Sequence, residues 1–271
     1  MLGVIVYQLR TEIGGHFTMF PGKLLHGALF RCFAAYDAAL SEDFHGRSIK
    51  PFTIGALRPS DAALPPEAQT FNEVSVAAGR KLLLRVTALD AAALMALSQM
   101  PCGTKLHVGK LVFSITGVLA DGRAQTGAIA PDELITAALS MGDVRRVRFS
   151  FRTPTVFRVD GCDYALAQPE LIFASFADKW TQLGLPAAIT KTAARAAAAK
   201  LIPLEWSGAG MRIRISERKS IPAFVGDFSF SLSALAEEER EIILLLAQFA
   251  PFCGTGRMTA QGMGETHVHF S

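Results

Sequence analysis

The sequence predicts an α+β fold in which the order strand, helix, strand, strand, helix, strand runs through twice. Three observations carry that prediction: apolar runs of strand length, helical stretches with apolar residues every three or four positions, and breaks marked by glycine or proline. At 271 residues and 50% hydrophobic content, the chain can fill the cores of two ordinary domains.

Gly3 to Leu9 reads as the first strand, and a Gly14-Gly15 turn leads to a helical stretch from Pro21 to Leu40. Leu25, Leu29, Phe33 and Tyr36 form the apolar stripe of that stretch, flanked by Leu24 and Ala28. Lys50 to Leu57 and Phe71 to Thr87 read as strands, the second broken by Gly79. Asp90 suits the cap of a short helix ending at Ser98, and Leu106 to Leu119 is a strand pair or one bent strand. This order is the ferredoxin-like (RRM-like) pattern, an antiparallel sheet with helices on one face, which common single-stranded RNA-binding modules share.

Ala120 to Gly142 mixes glycine, proline and acidic residues around a helical stretch near Asp132, and it marks the boundary. Residues 1–122 are expected to form the first ferredoxin-like domain, 123–145 a linker, and 146–271 the second. The second half repeats the element order with strand Arg146 to Arg158, helix Glu170 to Gly184, an alanine-rich helix Ala187 to Leu201, strands Arg212 to Arg218 and Phe224 to Leu232, helix Ala234 to Phe249 and strand Glu265 to Phe270. The halves share element order without residue-level similarity.

Composition narrows the chemistry. Charged residues make up 19% and the net charge is +3, so a polyanionic partner is permitted without being required. The four cysteines, Cys32, Cys102, Cys162 and Cys253, form no CxxC pair and have no histidine spacing suited to zinc, which fits free thiols in a reducing cytoplasm. Met1 to Leu9 lacks the basic leader and cleavage site of a signal peptide and reads better as a strand, and no apolar run has the length of a membrane span. No cofactor and no metal are expected. His267 and His269 alternate toward one face of the last strand, but two ligands without a third make no site.

The most specific motif is the run from Phe252 to Gly264, which sets Gly254, Gly256, Gly262 and Gly264 around Arg257 between a helix and a strand. Glycines permit positive φ and close approach of backbone amides to a phosphate, and Arg257 adds charge. A plain surface loop is the competing reading. The helix precedes this loop, so it is not a nucleotide fingerprint of the strand-then-helix kind.

A C-terminal helix, paired Gly-x-Gly elements and a final strand resemble the glycine-rich loop of the RAMP (repeat-associated RNA-binding) superfamily of CRISPR systems. Pro21-Gly22-Lys23-Leu24-Leu25-His26-Gly27, Asp43-Phe44-His45-Gly46 and Lys50-Pro51-Phe52-Thr53-Ile54 are similar to the repeat-processing endoribonucleases of that superfamily. Pro169 to Phe176 with Trp180 resembles their second-domain helix. The resemblance implies two ferredoxin-like domains with CRISPR repeat RNA lying across them, as precursor and as mature guide. It also implies metal-independent attack of a ribose 2′-hydroxyl on the adjacent phosphate, leaving a 2′,3′-cyclic phosphate and a 5′-hydroxyl.

That reaction needs a base, an acid and a cation for the phosphorane, and histidine suits the first two roles. His45 is the first choice because it is expected in the turn after the first helix, where the resemblance places the family's catalytic histidine, with Lys50 and Arg47 near enough in sequence to serve the phosphate. His26, beside Lys23 on the first helix, competes: the two divide the roles of base and acid, or one of them packs. Tyr36 fits the core better than the site.

Strand alternation puts Arg146, Arg148 and Arg152 on one face, and Arg212 and Arg214 likewise, with Arg218 and Lys219 just beyond. These arginines fit phosphate contacts, against the alternative of a solvated sheet face. Lys191 and Arg195, four apart on the alanine-rich helix, fit an RNA stem or a solvated helix face equally. The rival function is a non-catalytic RNA-binding subunit of a CRISPR effector complex, with no use for His45; a ferredoxin-like metabolic regulator explains neither the arginines nor the loop. Effector subunits are candidate partners, a membrane is not, and the chain is expected as monomer or homodimer.

Overall fold

A computed structural model of the chain describes residues 1–60, 70–122 and 126–271. Of the expected linker, residues 123–125 lie outside the described residues. The first unit runs β1 (Leu2–Ile13), β2 (Gly15–Phe17), α1 (Gly22–Tyr36), α2 (Ala38–Gly46), β3 (Phe52–Pro59), β4 (Val74–Val76), β5 (Lys81–Ala88), α3 (Ala91–Ser98), β6 (Lys105–Val108), β7 (Leu111–Leu119) and β8 (Gly127–Ile129). Its main sheet has the order β3-β5-β1-β7-β6, with β8 also paired to β1. After α4 (Pro131–Leu139), the second unit runs β9 (Arg146–Thr155), β10 (Phe157–Val159), β11 (Cys162–Tyr164), α5 (Pro169–Gln182), α6 (Lys191–Ala198), β12 (Ile202–Ser216), β13 (Lys219–Ser231), α7 (Glu237–Cys253) and β14 (Thr266–Phe270), with the sheet order β12-β13-β9-β14. In both sheets the first core strand lies between the third and fourth, which is the ferredoxin-like order built twice in tandem. The stretch expected as linker holds β8, which extends the first sheet, and α4, whose Leu134 and Ala138 enter the core of the second unit.

Two expectations are corrected. The helix expected from Pro21 to Leu40 is broken at Asp37, whose backbone is extended (φ −156, ψ 112) and whose carboxylate accepts from the Leu40 amide at 3.1 Å. A side chain that caps the next helix takes its own backbone out of the previous one, so His45 ends a second helix, α2, and does not sit in a turn after the first. Because α1 stops at Tyr36, that tyrosine is 45% exposed and leaves the stripe, while Leu25, Leu29 and Phe33 are buried. The strand expected from Phe71 to Thr87 begins only at Val74; its break at Gly79 is as read, with φ of +79 there, and the two pieces take different partners, β4 pairing with β2 and β5 with β1.

Each sheet has one face under its own helices, and the two units cover much of what remains. In the first, Ile5, Tyr7 and Leu9 of β1 pack with α1 and α3, while the opposite face carries Thr53, Arg85 and Thr87 toward the end of α7. In the second, Ile221, Ala223 and Val225 of β13 and Ile213 of β12 pack with Phe20 and Phe71 of the first unit. The β12–β13 hairpin is tied there by the Phe20 amide on the Arg214 carbonyl at 3.0 Å and by Asn72 on the Arg212 carbonyl at 2.8 Å.

Candidate functional site

The end of α7 organises the site. A helix leaves its last carbonyls without intrahelical donors, and here side chains from both units supply them. Arg85 donates to the Pro251 carbonyl at 2.9 Å, Thr87 to Phe252 at 2.6 Å, and Lys179 of α5 to Cys253 and Gly254 at 3.1 and 2.6 Å. Lys179 is buried, and burial lowers its pKa. Two cations at the negative end of a helix also oppose its dipole.

The run after α7 turns sharply. Gly254, Gly256, Gly262 and Gly264 all have positive φ, from 63 to 82. A Cβ at Gly256 would overlap the Val156 carbonyl oxygen, and one at Gly264 the Thr255 carbonyl oxygen. The expected phosphate cradle of loop amides is corrected by their partners. Thr255, Gly256, Arg257 and Gly264 donate to the Gly264 carbonyl, the Ser175 hydroxyl, the Val156 carbonyl and the Pro154 carbonyl at 2.8 to 3.0 Å. Amides engaged in this way shape the loop and do not face a ligand.

Glu265 follows the loop and enters the first unit. It accepts from Arg58 at 2.6 Å and from the Ala56 amide at 3.3 Å, in the β3 irregularity where a Cβ on Gly55 would meet the carboxylate. His267 stands 3.0 Å from its other oxygen. Burial by itself would raise the Glu265 pKa, but Arg58, His267 and Arg85 outweigh it and hold the carboxyl well below the usual range.

Through this clasp the loop reaches α1. A Cβ at Gly22 would overlap the Gln261 carbonyl, so the first turn of α1 needs glycine to seat the loop. One helical turn on, His26 Nδ1 lies 2.8 Å from the Ala260 carbonyl oxygen. A carbonyl only accepts, so Nδ1 carries the proton, and in the neutral ring Nε2 is left as the base. Burial lowers the His26 pKa, the bond to Ala260 partly offsets this, and Lys50 and His45 add to the lowering.

His45 stands across Phe30 from His26: the Phe30 ring lies 4.7 Å from one imidazole and 5.3 Å from the other. Both histidines line a cavity of about 440 Å³ with Gly27, Ser41, Glu42 and Gly46. Lys50 donates to the His45 and Arg47 carbonyls at 2.7 and 2.5 Å, holding the end of α2 and keeping a third donor. Arg47, expected near the phosphate, is held instead by Asp43 and Asp90.

The arginines divide between two faces. Residues paired across strands share a face. Arg146, Arg148 and Arg152 lie with Ser229, Asp227 and His269 around a concavity of about 490 Å³ on the face away from the helices. Arg148 pairs with Asp227 at 3.1 Å. Arg212 and Arg214, opposite Pro222 and Ser220, fall on the other face with Phe224 and Phe228, so the two ribbons do not form one surface. Arg218 and Lys219 are exposed at the hairpin end. Lys191, Arg195, Arg257 and Gly256 meet around a third concavity.

Sequence reasoning did not single out Arg58, Arg85, Arg158, Glu265 or Lys179. One of them left a signal: Lys179 follows Phe173 and Phe176 at three-residue spacing beside Trp180, a cation on an apolar helix face.

The sequence model of the family described as CRISPR-associated endoribonuclease Cas6 matches residues 149–266. No curated protein sequence matches the chain. Among solved structures, a Cas6 product complex is similar at 26% identity, covering 99% of this chain and 100% of that one with a TM-score of 0.75. Thermus thermophilus Cas6 is similar at 23% identity over 99% and 98% with a TM-score of 0.72, and a RAMP protein binding different RNA substrates at 13% over 98% and 99% with a TM-score of 0.56. The family model thus covers most of the second unit, and the likeness to Cas6 structures extends over both units of the chain.

Proposed function

We propose that the protein cuts CRISPR precursor RNA within its repeats without a metal ion, by attack of the 2′-hydroxyl on the adjacent phosphate. His26 Nε2 takes the 2′-hydroxyl proton, O2′ bonds to phosphorus, and the 5′-oxygen leaves with a proton from His45. The products are a 2′,3′-cyclic phosphate and a 5′-hydroxyl. The free donor of Lys50 serves the charge that builds on the phosphorane. The observation that carries this reading is the His26 bond to the Ala260 carbonyl, which fixes the tautomer of a base that burial keeps neutral. His45, on the other side of Phe30, supplies the complementary proton.

Repeat RNA is the substrate this reading requires, and the likeness to a Cas6 product complex supports it. Arg146, Arg148 and Arg152 serve the RNA backbone on the open sheet face. The free cysteines Cys32, Cys102, Cys162 and Cys253 fit a reducing cytoplasm. The test is incubation in EDTA with candidate repeat RNAs. A single cut whose upstream product ends in a cyclic phosphate supports the proposal; dependence on added divalent metal, or a 3′-hydroxyl product, refutes it.

A further inference from the structure

The start of the glycine-rich loop faces a concavity that the cleavage chemistry does not use. Gly256 and Arg257 line it with Arg158 of β10, Ser175 of α5, and Lys191 and Arg195 of α6, around a volume of about 340 Å³. Four cations from three separate chain segments thus converge on one site. Arg158 and Arg257 share the single carboxylate of Asp163, a pair of cations on one anion. Lys191 and Arg195, one helical turn apart, form no ion pair among the described residues. Asp160 and Asp178 also border the site, so four cations face three carboxylates, one positive charge is in excess, and the two cations on α6 are the ones without a direct ion pair among the described residues.

Val159, Leu171 and Ala174 add apolar lining to the same concavity. Cations and apolar side chains in one concavity suit a nucleotide: phosphate oxygens take the guanidinium and ammonium donors, and the ribose or base lies against the apolar residues. The site is tied to the cleavage pocket by the loop itself. Arg257 precedes Ala260 by three residues, so their Cα atoms lie within about 11 Å, and Ala260 touches His26.

We infer that this concavity binds one nucleotide of the RNA strand flanking the cut, its phosphate held by Lys191, Arg195 and Arg257. The inference rests on the RNA-cleaving reading above and adds to it a backbone subsite outside the catalytic pocket.

The test measures affinity against salt for two labelled probes, a single-stranded oligouridine and a repeat RNA made 2′-deoxy at the cut nucleotide so that it stays whole. For the K191A/R195A double variant, affinity is expected to fall roughly 3- to 10-fold. The slope of log K against log salt should flatten by about 1.4, the value for two lost contacts to a single strand. A second variant, Arg158→Ala, should act in the same direction through another element, which guards against misfolding of α6. Unchanged affinity and slope in both variants overturn the inference. So does protection by adenosine monophosphate with no change toward either RNA, which assigns the pocket to a free nucleotide. If the wild-type protein cuts no RNA yet the slope flattens, the cleavage reading fails and this subsite stands.

Discussion

The glycine-rich loop and the histidine pocket meet at one hydrogen bond, yet they are built in opposite ways. The loop is largely buried, and its amides and the carbonyls before it have partners inside the protein. The pocket is open: His45 is exposed, and His26 makes its polar contact with the loop while presenting its other nitrogen. The segment with the strongest sequence pattern is therefore a positioning device, and the proposed chemistry rests on two side chains of weak pattern. Burial and satisfied hydrogen bonds give a rigid support, and exposure gives access to a substrate.

The largest effect should come from the pocket. His45→Ala is expected to lower the single-turnover cleavage rate by roughly 100- to 10,000-fold, the usual range for a proton-transfer group, while RNA affinity is retained. Cleavage at the wild-type rate would remove His45 from its role.

The loop and its clasp should answer in stability. Gly264→Val places a branched side chain at positive φ and against the Thr255 carbonyl, at a cost of about 3 kcal/mol or more. Glu265→Gln leaves Arg58 and Arg85 without their carboxylate, at about 3 kcal/mol. Denaturant titration checks both. If the loop were only a ligand cradle, RNA affinity would fall and the unfolding midpoint would stay.

The pH dependence separates the two regions further. The His26 pKa is lowered, chiefly by burial, so the unfolded chain binds the proton more readily than the native one. Stability held above about pH 6.5 is then lost as pH falls toward the depressed value. The cleavage rate should fall over the same acidic window, because protonated His26 cannot act as base. A rate constant down to pH 5 would contradict the assignment. The smallest effect is expected on the open sheet face: Arg152→Ala should flatten the salt slope by about 0.7, with unfolding unchanged.

The element order was legible because local rules decide it. The β12–β13 hairpin and the two tandem sheets follow from alternation and from turn residues, and Asp90 caps α3 as read. The break at Asp37 was missed because the apolar stripe continues across it, and only the aspartate marks the cap. His26, His45, Lys50 and Arg257 could be named from sequence. Their arrangement could not, since it depends on contacts between residues more than 200 positions apart, such as His26 with Ala260 and Arg58 with Glu265. The faces of the arginines depended on strand register, which alternation within one strand does not supply.

The most direct test of the claim that the loop prepares His26 as a base is nitrogen-15 NMR of the histidine side chains at pH 7, with His26 assigned through His26→Asn. The account predicts a neutral ring protonated on Nδ1, with Nε2 bare. A ring charged at pH 7, or one protonated on Nε2, would contradict it.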